Sequence, residues 1–157
     1  MKLNKTNNNN YQSYNYVNLM NICTPKQWKT ISAKNLTSSG FPVYGANGII
    51  GCYHEFTHEK VTVMITCRGA TCGTINISKP KSYINGNAMA LDALDESRCF
   101  YKFLFYFLKS RGLKDTITGT AQPQITRTSL KKVKIPLPPI EEQKRIAEIL
   151  DRADAIR

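Results

Sequence analysis

The chain has 157 residues, of which 22 are Lys or Arg and 11 are Asp or Glu, giving a formal charge of +11 and a pI near 9.6. That length holds one domain with a hydrophobic core and excludes two ordinary ones, and no run is long and apolar enough to span a membrane as a helix. Surplus positive charge in an otherwise globular composition points to a polyanion, with nucleic acid favoured over a membrane surface.

In chain order, the opening "MKLNKTNNNNYQSYNY" is Asn-rich and nearly devoid of aliphatic side chains, so residues 1–16 are expected to be a leader with no core of its own. A helix is expected from Thr24, with Thr24 as N-cap, Pro25 at the first position and "KQWKTISAKNL" as its body. Trp28, Ile31 and Leu36 would supply its buried side. "FPVYGANGIIGCYHEF" then gives short apolar pieces broken by Gly45, Gly48 and Gly51, followed by the strand-like "KVTVMITC" and "GTINIS". "SRCFYKFLFYFLKSRGL" has Phe100, Phe103, Leu104, Phe107 and Leu108 at core spacing and Gly112 as its stop, the pattern of a core helix. Asp92, Asp95 and Glu96 precede it, where N-capping is the ordinary role of acids.

The last segment changes character twice. A basic strand "KKVKIPL" ends at Pro138 and Pro139, and Glu141 and Glu142 then open a helix that runs to the final residue. Ile146, Ile149, Ala153 and Ile156 follow a 3-4-3 spacing, a coiled-coil stripe too short to be stable alone. Charge divides along the same line: residues 98–134 carry nine basic and one acidic side chain, residues 135–157 four basic and five acidic. A body that holds the positive field and a helix that pairs its charges imply two surfaces with different partners.

Cys23, Cys52, Cys67, Cys72 and Cys99 form an odd set without a C-x-x-C pair, and nothing at the N-terminus reads as a secretory signal, so a reducing cytoplasmic setting is expected. Cys52, His54 and His58 with Cys67 or Cys72 offer metal-ligand types, but the tight paired spacing of zinc sites is missing and buried free thiols are the better reading. There is no phosphate loop, and "GANGIIG" lacks the order and the following helix of a dinucleotide fingerprint. No catalytic constellation, metal or cofactor is expected.

"PLPPIEEQKRIAEILDRADAIR" strongly resembles the start of the conserved helix in the specificity subunit of type I restriction-modification enzymes. "GTAQPQIT" with the basic strand after it, "VMITCRGATCGTI" and "INGNAMAL" are similar to that family's recognition domain, so the resemblance covers about Val17 to Arg157. It implies an α+β fold: a target-recognition-domain-like globular domain of short twisted strands and a core helix, then a C-terminal coiled-coil-type helix. The implied division is a leader 1–16, a DNA recognition domain 17–138 and a helix start 139–157. The implied role is non-catalytic: the domain reads half of a bipartite site on double-stranded DNA, and the helix spaces that half from its companion and docks methyltransferase subunits, the restriction subunit being a further partner of the complex that the chain would direct. That family carries two such domains and this chain one.

Residue by residue, Arg68 sits on a strand-ending turn where a guanidinium can grip guanine or a phosphate, with pairing to Glu55 or Glu59 as the competing role. Gln122 and Gln124 can bond adenine or simply fix their own loop. Arg127, Lys131, Lys132 and Lys134 suit phosphates, as do Lys79 and Lys81 beside Pro80. Tyr44 and Asn47 in "VYGANG" could enter a groove, while Asn47 also suits a turn. On the helix, Gln143, Ile146, Ile149, Ala153 and Ile156 are the expected partner interface. An alternative is an assembly domain that forms a homodimer through this helix, with incidental positive charge.

Overall fold

The computed structural model describes residues 14–157. In chain order these form β1 (Tyr16–Asn18), β2 (Thr24–Lys26), β3 (Phe41–Gly45), β4 (Gly48–Tyr53), β5 (Val63–Thr66), β6 (Ile75–Ile77), β7 (Tyr83–Ile84), β8 (Ala88–Asp92), α1 (Tyr101–Arg111), β9 (Lys134–Pro136) and α2 (Ile140–Ala155). Most of the expected leader lies outside the described residues, and its last member, Tyr16, already pairs with Pro136 in a two-stranded sheet of β1 and β9.

The apolar run of β5 explains the layering. In the antiparallel sheet β2-β8-β5-β6, Val63, Ile65 and Cys67 point to a core shared with Phe103, Leu104 and Leu108 of α1. Met64, with Ala88 and Ala90 of β8, points the other way, onto Tyr44 and Ile84 of the second sheet, β4-β3-β7. Burial on both faces requires a continuous apolar strand rather than an alternating one. The α+β architecture expected from the sequence is therefore present, with α1 on one side of the central sheet and the smaller sheet on the other. Gly112, at φ +72°, ends α1 as expected, donating its N–H to the Leu108 carbonyl at 2.9 Å.

The helix expected from Thr24 does not form. Thr24, Pro25 and Lys26 pair with Asp92, Leu91 and Ala90 as an edge strand, a place that tolerates a residue without an N–H. Beyond it, side chains distant in sequence hold the backbone. Asn85 Oδ1 accepts from Ile31 N at 2.9 Å, and the Tyr83 hydroxyl donates to the Lys29 carbonyl at 2.7 Å. Only Ala33–Asn35 makes a single 3-10 turn. Trp28, Ile31 and Leu36 do pack inward, but on two different apolar clusters rather than as one helical face.

The basic strand is shorter than expected: Lys131 and Lys132 belong to a 3-10 turn, Ser129–Lys132, and only Lys134 lies in β9. Thr126 and Ser129 cause this by exchanging hydrogen bonds, each hydroxyl accepting from the other's backbone N–H at 3.0 Å. The three acids before α1 do not cap it either. Asp92 binds His58 and Trp28, Asp95 accepts from Ser97 N at 3.2 Å, and Glu96 lies 3.7 Å from Lys60.

Gln143, expected at a partner interface, is fully buried and performs the capping instead. Its Oε1 accepts from Phe100 N, and its Nε2 donates to the carbonyls of Arg98 and Pro138, all at 2.8 Å. Ile146, also expected at a partner interface, packs on the core, and Ala147 is buried. Farther along α2, Asp151 receives Lys102 Nζ at 2.5 Å and the Tyr106 hydroxyl at 2.6 Å, closing the pair of helices.

The hydrogen bond from Lys102, then that from Tyr106, hold the Asp151 carboxyl below the usual carboxylate range. A depressed folded-state pKa contributes stability above the unfolded value, about 3.9, that is lost as pH falls through the folded value. With the Asp151 side chain 39% exposed, solvent screening limits this to about 1 kcal/mol. Asp151→Asn should therefore lower urea-unfolding stability at pH 7, and by progressively less as pH falls below the unfolded value.

The cysteines are free thiols, and burial pushes those of Cys23 and Cys99 up to about 12, which keeps them protonated. The alternative metal set is not assembled. Among the described residues no group of three or more His, Cys, Asp or Glu is placed to hold an ion.

Candidate nucleic-acid interface

Three turns that are far apart in the sequence meet along one rim. Arg68 follows β5 at the start of the turn that leads to β6, and its backbone bridges Gln124 in antiparallel fashion. Gly69 N donates to the Pro123 carbonyl at 3.3 Å, and Ile125 N to the Cys67 carbonyl at 2.9 Å. The "GTAQPQ" loop is thereby stitched to the Arg68 turn. It is closed on itself by reciprocal Thr118 and Gln124 backbone bonds of 2.8 and 2.9 Å. Gly119 turns the chain at φ +82°, where an added Cβ would lie 2.6 Å from the Gln122 carbonyl.

Because the backbone fixes this loop, the Gln122 and Gln124 amides are not needed for it. Both residues are exposed, and neither amide has a side-chain hydrogen bond among the described residues. Arg68 is likewise exposed and makes no ion pair there, so the competing pairing with Glu55 or Glu59 does not occur. Asn47, at the β3–β4 turn, joins the rim through the Thr71 hydroxyl, which donates to its Oδ1 at 2.7 Å. The Thr66 hydroxyl donates to the neighbouring Ala46 carbonyl, also at 2.7 Å. Thr71 is the connecting residue that the sequence reading passed over. Its only signal was a place inside a Gly- and Thr-containing turn between two strands.

The chain continues from this rim into Arg127, Lys131, Lys132 and Lys134, all exposed. The Asn18 side-chain amide holds the Lys131 carbonyl, and Lys132 Nζ donates to the Asp115 carbonyl at 2.6 Å. Arg127, Lys131 and Lys134 have no ion pair among the described residues. The helices differ: Lys102 with Asp151, Arg111 with Asp115, Lys144 with Glu141, Arg145 with Glu142 and Arg152 with Glu148 lie within 4 Å of each other. Arg127, Lys131 and Lys134 therefore carry positive charge that no acidic side chain among the described residues compensates.

Three of the expected contacts lie elsewhere. Tyr44 is only 7% exposed, and its hydroxyl accepts from Lys79 N at 3.0 Å, so it supports a loop from the core and does not reach a groove. Lys79 and Lys81 are exposed, but they leave the open end of the β5–β6 hairpin, where Ser78 bonds Thr62. That end is about 13 Å along the strand from the Arg68 turn.

A cleft of about 460 Å³ lies near this open end, lined in part by Trp28, His58 and Asp92. His58 Nε2 meets Asp92 Oδ1 at 2.7 Å, its Nδ1 meets the Thr57 hydroxyl at 2.6 Å, and Trp28 Nε1 donates to Asp92 Oδ2 at 3.0 Å. Each ring nitrogen already has a partner. This arrangement ties Trp28 and His58 to Asp92 and braces the sheets.

On α2 the remaining expected interface residues, Ile149, Ala153 and Ile156, are exposed, Ile149 by 50% and Ile156 by 87%. They occupy a stripe separate from the one that holds Gln143 and Ala147 against the body. No helix among the described residues is long and apolar enough to cross a membrane.

Known proteins resemble this chain in sequence and in fold. The type I restriction-enzyme EcoprrI specificity subunit of Escherichia coli is 29% identical over 116 residues, covering 74% of this chain and 28% of that protein. The MjaVIII specificity subunit of Methanocaldococcus jannaschii is 30% identical over 120 residues, covering 71% of this chain and 27% of that one. In structure, the S subunit of a type I restriction-modification system from M. genitalium superposes with a TM-score of 0.77 at 23% identity, covering 96% of this chain and 41% of that one. The HsdS subunit from Thermoanaerobacter tengcongensis superposes at 0.65, covering 96% and 40%. The chain thus spans less than half the length of each of these relatives. The model of the type I restriction modification DNA specificity domain matches residues 7–157, and the chain belongs to that family.

Proposed function

We propose that this chain is a DNA-reading specificity component of a type I restriction-modification complex, in which residues 17–138 bind a target half-site and α2 connects that body to partner subunits. The observation that carries the reading is the rim where Asn47, Arg68 and the Gln122–Gln124 loop meet, with the unpaired Arg127, Lys131 and Lys134 following it in the chain. Phosphate contacts from the basic residues would set register on the duplex, and the amides and guanidinium would read base edges. The chain itself transfers no group. Methyl transfer and cleavage belong to the methyltransferase and restriction subunits that it directs.

Arg68→Ala should weaken binding to the recognised duplex by about 10- to 100-fold, and Arg68→Lys should restore little, because an ammonium cannot replace a bidentate fork. Fluorescence anisotropy against the recognised duplex and an unrelated one checks this. The function as a whole is tested by co-purifying the tagged chain with the methyltransferase subunit of its system and sequencing the methylome of cells with and without the chain. A methylated motif that depends on the chain is the expected result. Assembly without any new methylation overturns it.

A second reading, self-association, draws on the exposed Ile149 and Ile156. Sedimentation at several concentrations of wild type and of I149D/I156D separates the two. Dissociation of the variant with DNA affinity retained makes the helix a contact between copies, added to DNA reading rather than replacing it.

A further inference from the structure

The pairing of β3 with β4 slips by one residue: Val43 faces Gly51, Tyr44 faces Ile49, and Ile50 is the extra residue. A bulge bends its strand and re-aims side chains. Here two consecutive isoleucines, which a regular strand would divide between its faces, are 49% and 46% exposed. Ile50 is seated over Gly45, where an added Cβ would meet its Cγ2 at 2.9 Å. β4 is also the outer strand of its sheet and contains no charged residue, although solvent-facing edges are ordinarily guarded by charges. Thr37 covers this edge only at Cys52.

The pair follows directly on Asn47, which the Thr71 hydroxyl ties into the rim that carries Arg68. An apolar surface flanked by an amide and a guanidinium has the composition that reads a major groove, where thymine alone presents a methyl group. Resting on the DNA-reading function proposed above, we infer that Ile49 and Ile50 are specificity-determining residues that pack against thymine 5-methyl groups of the half-site. A peptide strand adding to the β4 edge is the competing occupant. The rim favours DNA because Asn47, two residues before Ile49, is bonded to the turn that carries Arg68, which brings an amide and a cationic side chain to this edge rather than a groove for alternate side chains.

The test begins with selection from a random-sequence duplex pool by the chain assembled with its methyltransferase subunit, which yields the recognised motif. Each thymine of that motif is then replaced by deoxyuridine, which lacks only the methyl group. Wild type should lose about fourfold in affinity for each methyl read. I49S/I50S should bind the thymine and uracil duplexes alike and keep its affinity for the unselected pool within about twofold, since nonspecific binding is electrostatic. The wild-type comparison needs no variant and stands even if I49S/I50S misfolds. Equal wild-type affinity for thymine and uracil duplexes at every position, or a motif without thymine, overturns the inference and leaves DNA reading intact. Loss of methyltransferase co-purification by I49S/I50S with an unchanged uracil penalty assigns the edge to a protein partner and overturns it as well. Failure to select any motif overturns the DNA-reading function and this inference together.

Discussion

Gln143→Ala is expected to lower the stability of the chain by about 3 kcal/mol, the largest loss predicted for any polar residue in it. Its amide makes three 2.8 Å bonds in a fully buried position, and alanine would leave Phe100 N–H and the Arg98 and Pro138 carbonyls without partners. An orphaned buried group costs about 1–3 kcal/mol, with part of the sum recovered by relaxation and entering water. Urea unfolding should show the midpoint falling, and heating should show a drop of about 6–12 °C in Tm. Gln143→Glu is the sharper control. A carboxylate still accepts from Phe100 N but faces two carbonyls with no hydrogen to offer, so it should destabilise at least as much as alanine. Equal stability of wild type and Gln143→Glu would refute the clamp.

The largest expected effect on binding comes from removing the unpaired cations. The triple substitution Arg127→Gln, Lys131→Gln and Lys134→Gln should flatten the dependence of log K on log salt by about 2.7, at about 0.9 for each phosphate no longer neutralised. Near 0.1 M salt the same relation gives a fall of roughly 10²- to 10³-fold in affinity, with similar losses on recognised and unrelated duplexes. Lys132 is left in place because its ammonium already holds the Asp115 carbonyl. The control is Arg145→Gln with Arg152→Gln, whose charges are matched by Glu142 and Glu148 on the same helix. That pair should leave the salt slope unchanged. A triple variant with the wild-type slope would place the DNA elsewhere on the surface.

The elements read correctly from sequence are those whose stabilising contacts are local or whose burial is complete. α1 was legible because five apolar residues at helical spacing and a terminal glycine point to one structure. β5 was legible because a continuous apolar run fits a strand covered on both faces, and β6 because Ile75 and Ile77 alternate with Asn76 on an edge strand covered on one face. The segment after Thr24 misled for the converse reason. Thr-Pro suits a helix start and an edge strand equally, and the deciding contacts come from β8, Tyr83 and Asn85, more than fifty residues away. At the interface, the chemical types of Arg68, Gln122, Gln124 and the basic run were visible in sequence. Their convergence was not, since it depends on the Arg68–Gln124 bridge and the Asn47–Thr71 bond.

The sequence by itself determined the core helix, the surplus positive charge and, through the resemblance carried by the C-terminal segment, the family and the α+β class that it implies. These follow from composition, periodicity and motif, all of which are properties of neighbours along the chain. Only the tertiary structure decided that Gln143 and Ile146 face inward while Ile149, Ala153 and Ile156 face outward, and that Tyr44 is core. It also decided that Lys79 and Lys81 sit apart from the rim and that a one-residue slip bares Ile49 and Ile50. Each of these depends on which distant backbone or side chain satisfies a buried group, and pairing across such separations leaves no periodic trace in the sequence.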